Sequence, residues 1–170
     1  MARRAKPNSR TSIQFIAADD EAIGVEAEEL SKAYASYMHD FDETHLKLKD
    51  DEAPSYYHLK VLPLDLQTKI RDALTTDGED ISPMDMFLSS VGKQLLGEFL
   101  TRCVVGVDNH PFVKSIHPNG SFEEDSVSWP PGTSRPPELI DALLSEELLS
   151  INMFWFVFRA SQLTGSEKKR

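Results

Sequence analysis

Pro136-Pro137-Glu138 opens a helical run that becomes apolar on every side and then stops in a charged tail. It continues from Leu139 to Ser150 and on through Ile151-Asn152-Met153-Phe154-Trp155-Phe156-Val157-Phe158. Successive side chains on a helix stand about 100° apart, so the aromatics at 154, 155, 156 and 158 cannot share one face. Burying each gains roughly 1.5–3 kcal/mol, and the group together represents ~6–12 kcal/mol, comparable with the net stability of a whole domain. Such a block must be covered. It is either the central helix of a bundle, apolar all round, or a surface awaiting a partner.

The rest of the chain limits what could do the covering. Its 170 residues suit one domain. A formal charge of -10 argues against nucleic acid as the main ligand, because an acidic body repels phosphate. The exceptions are Arg3, Arg4, Lys6 and Arg10, in residues 1–12, which read as a flexible basic arm, and the tail Lys168-Lys169-Arg170. Residues 13–170 read as a single mainly helical domain. Cys103 stands alone in an apolar run, which points to a buried structural thiol and a reducing cytoplasm. The basic N-terminus lacks the apolar stretch of a signal peptide behind it. The longest uncharged apolar stretch, Leu148 to Phe158, falls short of the ~20 residues a membrane span needs.

Along the chain, Ile13, Phe15 and Ala17 alternate with polar neighbours as in a short strand. A helix is expected from Asp19 or Asp20, with Ile23, Ala27, Leu30, Tyr34, Tyr37, Met38 and Phe41 on its packed side. Tyr57, Leu59 and Val61 alternate with His58 and Lys60 in a second strand, ended by Pro63. Asp65 would cap a helix through Leu66, Ile70, Ala73 and Leu74, closing at Asp77-Gly78. Ser82 and Pro83 start another, expected to run to about Val105 with Val91, Leu95 and Cys103 buried, until Gly106 ends it. Gly92 and Gly97 weaken that helix by roughly 1 kcal/mol each and are candidates for close packing. Turn residues crowd Asp108 to Pro137, which reads as a long Pro/Gly-containing loop with room for one hairpin. The fold expected is therefore mainly α: about four helices, one or two short strands as a minor β-hairpin, and the long loop.

Candidate chemistry is sparse. In His39-Asp40-Phe41-Asp42-Glu43-Thr44-His45 the ligand types suit a transition metal. Residues six apart on a continuous helix do not converge, so a polar helix end is expected and no metal or cofactor is assigned. His110 and His117 each neighbour a proline, a placement that turn geometry explains without catalysis. No nucleophile elbow, Walker loop or His-Glu-x-x-His helix occurs, and the expectation is a protein that is not an enzyme. An enzyme using His39 or His110 ranks last. Trp129 before Pro130-Pro131 is either a docking aromatic or, by preference, a loop residue pinned into the core.

Three segments resemble tail assembly chaperones encoded in tailed-phage and prophage structural modules. They are Tyr56-Tyr57-His58-Leu59-Lys60-Val61-Leu62-Pro63-Leu64; Leu100-Thr101-Arg102-Cys103-Val104-Val105-Gly106-Val107-Asp108-Asn109, with Val107 where the family has an aromatic; and the Pro136-Pro137 helix ending in Leu163-Thr164-Gly165-Ser166-Glu167-Lys168-Lys169. The resemblance spans roughly residues 54–170. It implies a factor of the host bacterial cytoplasm that binds the phage tape-measure protein and helps recruit tail-tube protein around it. The contact surface expected for that client, with self-association as a further possibility, is Met153, Phe154, Trp155, Phe156 and Phe158. The alternative is a virion structural protein, a connector or tail-completion component.

Overall fold

The computed structural model describes residues 13–76, 79–80 and 83–167. The expected basic arm, the Ser82 cap, the Asp77-Gly78 helix end and the Lys168-Lys169-Arg170 tail lie outside them. In chain order the elements are β1 (Ile13–Ile16), α1 (Ala27–Asp40), a 3-10 turn (Glu43–Leu46), β2 (Tyr56–Leu59), α2 (Leu64–Leu74), β3 (Thr75–Thr76), β4 (Glu79–Asp80), α3 (Pro83–Leu88), α4 (Ser90–Cys103), β5 (Val104–Ile116), β6 (Phe122–Trp129), α5 (Leu139–Ser145) and α6 (Glu147–Glu167).

Four strands form one antiparallel sheet in the order β1-β2-β5-β6. The mainly α expectation is thereby overturned, and the fold is α+β. The stretch read as a long loop with room for one hairpin holds the β5–β6 hairpin, and a loop follows it from Pro130 to α5. Pro118-Asn119-Gly120 makes the hairpin turn: the His117 N–H donates to the Ser121 carbonyl at 2.7 Å, and Gly120 takes the left-handed φ of 85°. Pro111 is tolerated because it lies beyond Val107, where β5 has left β2, so its missing N–H breaks no ladder bond to that strand.

Several helix boundaries also moved, each for a local reason. Asp20 does not start α1. Its carboxylate accepts the N–H groups of Ala22 and Ser55, both at 2.8 Å, fastening the turn after β1 to the start of β2. Asp65 sits in the first turn of α2 after Pro63, and its two oxygens receive the Arg102 guanidinium at 2.8 and 3.0 Å. The helix expected from Pro83 to Val105 is broken at Ser89, whose hydroxyl accepts the Gly92 N–H at 3.0 Å and donates to the Met86 carbonyl at 2.6 Å. The break resets the helical phase, so Leu95, Phe99 and Cys103 are buried but Val91 is 55% exposed. Gly106 ends no helix; the chain passes from Cys103 directly into β5, as Val104, Val105 and Val107 favour.

Gly92 makes the α3–α4 corner possible. A Cβ there would lie 1.8 Å from the Met86 carbonyl oxygen, whereas one on Gly97 would meet nothing within 4 Å. Of the two glycines singled out for close packing, only the first performs it.

The C-terminal run is two helices, α5 and α6, with Glu146 between them. Residues two apart on a helix point to nearly opposite sides, and α6 uses both. Phe156 packs against Phe15 of β1, Tyr37 of α1 and Phe41, with ring centroids 5.1, 5.2 and 5.0 Å away. Phe154 packs against Phe87 of α3 and Phe99 of α4 at 4.9 and 5.4 Å. The aromatic helix joins the sheet half of the core to the helical half.

Candidate functional site

This packing corrects the expected client surface. Met153, Phe154 and Phe156 are at most 1% exposed, and Trp155 and Phe158 are half-buried, packed on each other at 5.4 Å. The block that resists a single-faced reading belongs to the core helix, with Met153, Phe154 and Phe156 covered by the chain itself and Trp155 and Phe158 partly exposed. Trp129 is likewise buried, its indole N–H donating to the Thr133 carbonyl at 2.9 Å.

The polar candidates are also placed. α1 ends where Phe41 adopts a left-handed φ of 61°, and the 3-10 turn brings His45 back toward His39. Both rings bond one carboxylate: His39 Nδ1 and His45 Nε2 lie 2.8 and 2.9 Å from the two oxygens of Asp40. The helix end expected here is present, and it supplies the break that lets the two rings converge, as a continuous helix would not. The bonds from His39 and then His45 hold the Asp40 carboxyl below the usual range. Among the described residues no cluster of three or more metal-ligating side chains is arranged for an ion. Asp108 lies 3.1 Å from His58 Nε2 and forms no pair with His110, whose ring is instead buried against Tyr57. His117 is exposed in the hairpin turn.

Exposed apolar side chains point to another surface. α2, α3 and α4 enclose an open groove of about 670 Å³. Its floor carries Ala73, Met86, Val91 and Leu95, and Leu88 stands nearby in sequence at 71% exposure. Ser89, at the tight α3–α4 corner that Gly92 permits, also lines the groove.

The groove's charged wall is built from two helices. Lys69 Nζ lies 3.2 Å from Glu98, Arg102 lies 3.0 Å from the same carboxylate, and Arg102 also binds Asp65. The Arg102 guanidinium is the main reason the Asp65 carboxyl titrates below its ordinary range. With Asp72 on α2 and Asp85 on α3, three carboxylates and one ammonium line the groove. The opening is thus an apolar trough whose rim carries Asp72 and Asp85 beside Glu98, which Lys69 and Arg102 pair. An amphipathic helix presenting Leu- or Met-type side chains flanked by Lys or Arg matches both features. Sequence periodicity missed the site because it treated Pro83 to Val105 as one helix and turned Val91 inward.

Among the described residues no helix is long and apolar enough to cross a membrane. No protein-family model, curated protein or solved structure matches this chain.

Proposed function

We propose that this protein is a non-catalytic tail assembly chaperone of a tailed phage. In the host bacterial cytoplasm it holds an amphipathic helix of the tape-measure protein in the α2–α3–α4 groove until tail-tube subunits replace it. The observation that carries this reading is the groove itself, with an apolar floor at Met86, Val91 and Leu95 beneath a rim that carries Asp72 and Asp85. A tape-measure helix exposes apolar stripes before assembly, and such a groove shields one at no covalent step. The chain's charge of -10 favours solubility of the complex and draws in basic flanks. The resemblance of residues 54–170 supplies the identity of the client.

The test is co-expression with the tape-measure protein of the same phage. Wild-type chain should yield a soluble complex, and Val91→Asp should lose it while remaining folded. Retention of the complex by Val91→Asp would move the client elsewhere on the surface.

The second reading, a virion component, draws on the hairpin. β5 continues nine residues past Val107, from Asp108 to Ile116, and its partner there among the described residues is β6. A two-stranded ribbon is marginal alone and suits contact with a neighbouring subunit. Stoichiometric presence in purified virions would favour this reading over the chaperone.

A further inference from the structure

Between Val107 and His110 the register of β5 against β6 shifts, and Asn109 takes a left-handed φ of 53°. The bulge is fastened on three sides. The Asn109 N–H donates to Ser128 Oγ at 3.0 Å, Ser128 Oγ donates to Asn109 Oδ1 at 2.9 Å, and Ser55 Oγ donates to the Asn109 carbonyl at 3.0 Å. Bulges re-aim side chains. This one turns His110 inward, where it is 1% exposed.

His110 Nδ1 lies 2.6 Å from the Tyr57 hydroxyl on β2. Nε2 is buried without a hydrogen-bond partner, and Glu146 Oε1 stands 3.7 Å away, outside hydrogen-bond range. Glu146 is the residue between α5 and α6. Its N–H donates to the Leu143 carbonyl and its own carbonyl accepts from Ser150, so moving it moves the junction of the two helices.

Burial favours the neutral ring, and the charge of Asp19 favours the imidazolium. At the present 3.7 Å separation Nε2 is unpaired in either neutral tautomer, and protonation adds a full charge to the Nε2–H that faces the Glu146 carboxylate. The imidazolium has two donors, one for the Tyr57 oxygen and one for the Glu146 carboxylate. The surrounding charge is acidic: Asp19 and Asp20 after β1 and Glu146 act on Tyr57, Asp19 acts on His110 and Glu146, and Tyr34 of α1 adds a neutral hydroxyl beside them. Burial opposes the charge, lowering the proton affinity of His110 and raising that of Glu146, so the two compete for the same proton. The Glu146 side chain is 44% exposed and gives that proton a route from solvent.

We propose that His110 and Glu146 form an acid-closing latch. One proton taken from solvent and held between Nε2 and the Glu146 carboxylate closes the 3.7 Å gap. The α5–α6 junction is then tied to the β5 bulge. At neutral pH the latch is open and the junction is held by its backbone bonds and by Ser150, whose hydroxyl donates to the Leu143 carbonyl at 2.6 Å.

The experiment follows the imidazole nitrogens of His110 by NMR in the full chain from pH 8 to pH 4.5, together with amide exchange in the first turn of α6. Wild-type protein should take up one proton with a change at Nε2, and the α6 amides should gain protection beyond the intrinsic pH effect. Glu146→Gln should weaken proton uptake by His110 about tenfold, a shift of about one pKa unit, and abolish the gain in protection. Titration unchanged in Glu146→Gln would overturn the latch, as would a ring that stays neutral throughout. Glu146→Gln is isosteric at a half-exposed position, so its fold should persist. A proton-linked signal with no change in α6 protection would show titration without a latch and would also reject it.

Discussion

The Tyr34 hydroxyl donates to the Ile16 carbonyl at 2.7 Å, while the Ile16 N–H donates to the Tyr37 hydroxyl at 3.0 Å. Two tyrosines one helical turn apart on α1 thus satisfy both backbone groups of the last residue of edge strand β1. Tyr34→Phe leaves the buried Ile16 carbonyl without that partner and should destabilise the fold by about 1–3 kcal/mol in denaturant unfolding. Burial raises the Tyr34 and Tyr57 pKa values well above the ordinary 10.0. A raised pKa contributes stability below the unfolded value that is lost as pH rises past it. Wild-type stability should accordingly fall above about pH 10, and Tyr34→Phe should flatten part of that slope.

Gly92 and Gly97 occupy the same helix and predict opposite outcomes. Gly97→Ala should stabilise by up to ~1 kcal/mol, the helix-propensity difference, because a Cβ there meets open space. Gly92→Ala places a methyl 1.8 Å from the Met86 oxygen and must force α3 from α4. Its unfolding midpoint should drop well below wild type, and binding of the client should weaken because the groove changes shape.

Core and groove substitutions should separate cleanly. Phe156→Ala removes a ring packed on Phe15, Tyr37 and Phe41 and should cost about 3–5 kcal/mol. Val91→Asp, at a site 55% exposed, should change stability by less than about 0.5 kcal/mol. Only the latter should lose the proposed tape-measure complex with an unaltered melting transition.

Cys103 provides a chemical clock for opening. Its thiol is fully buried and burial pushes its pKa up to about 12. Native protein should resist a thiol reagent at pH 8, and the labelling rate should rise with denaturant in parallel with global unfolding. Fast labelling under native conditions would place local opening at the α4–β5 junction.

What could be read in advance was whatever a short period encodes. Tyr57 and Leu59 alternate with polar neighbours and are buried in β2, and Leu66 and Ile70 sit one turn apart and face the core from α2. The failures have a common physical source: one residue redirects the backbone and the pattern restarts. Ser89 resets the phase that had placed Val91 inside. At the expected helix end, Phe41 likewise folds His45 back onto Asp40. The extent of the β5–β6 hairpin was masked by Pro111, Pro118 and Gly120, of which only the last two make a turn. The aromatic block was ambiguous because burial by the chain and burial by a partner require the same composition. The groove was not legible at all, since it depends on how three helices meet.

The contact between Phe15 and Phe156 joins β1 to α6, elements near opposite ends of the described chain. A nascent chain on the ribosome cannot make it until α6 has emerged, so β1 and the inner faces of α1, α3 and α4 remain until then without their central packing helix. Closure of the core is late and long-range, which makes folding slow relative to a bundle of local contacts. A protein proposed to shelter another's apolar helix must therefore first pass through a stage in which its own interior needs shelter.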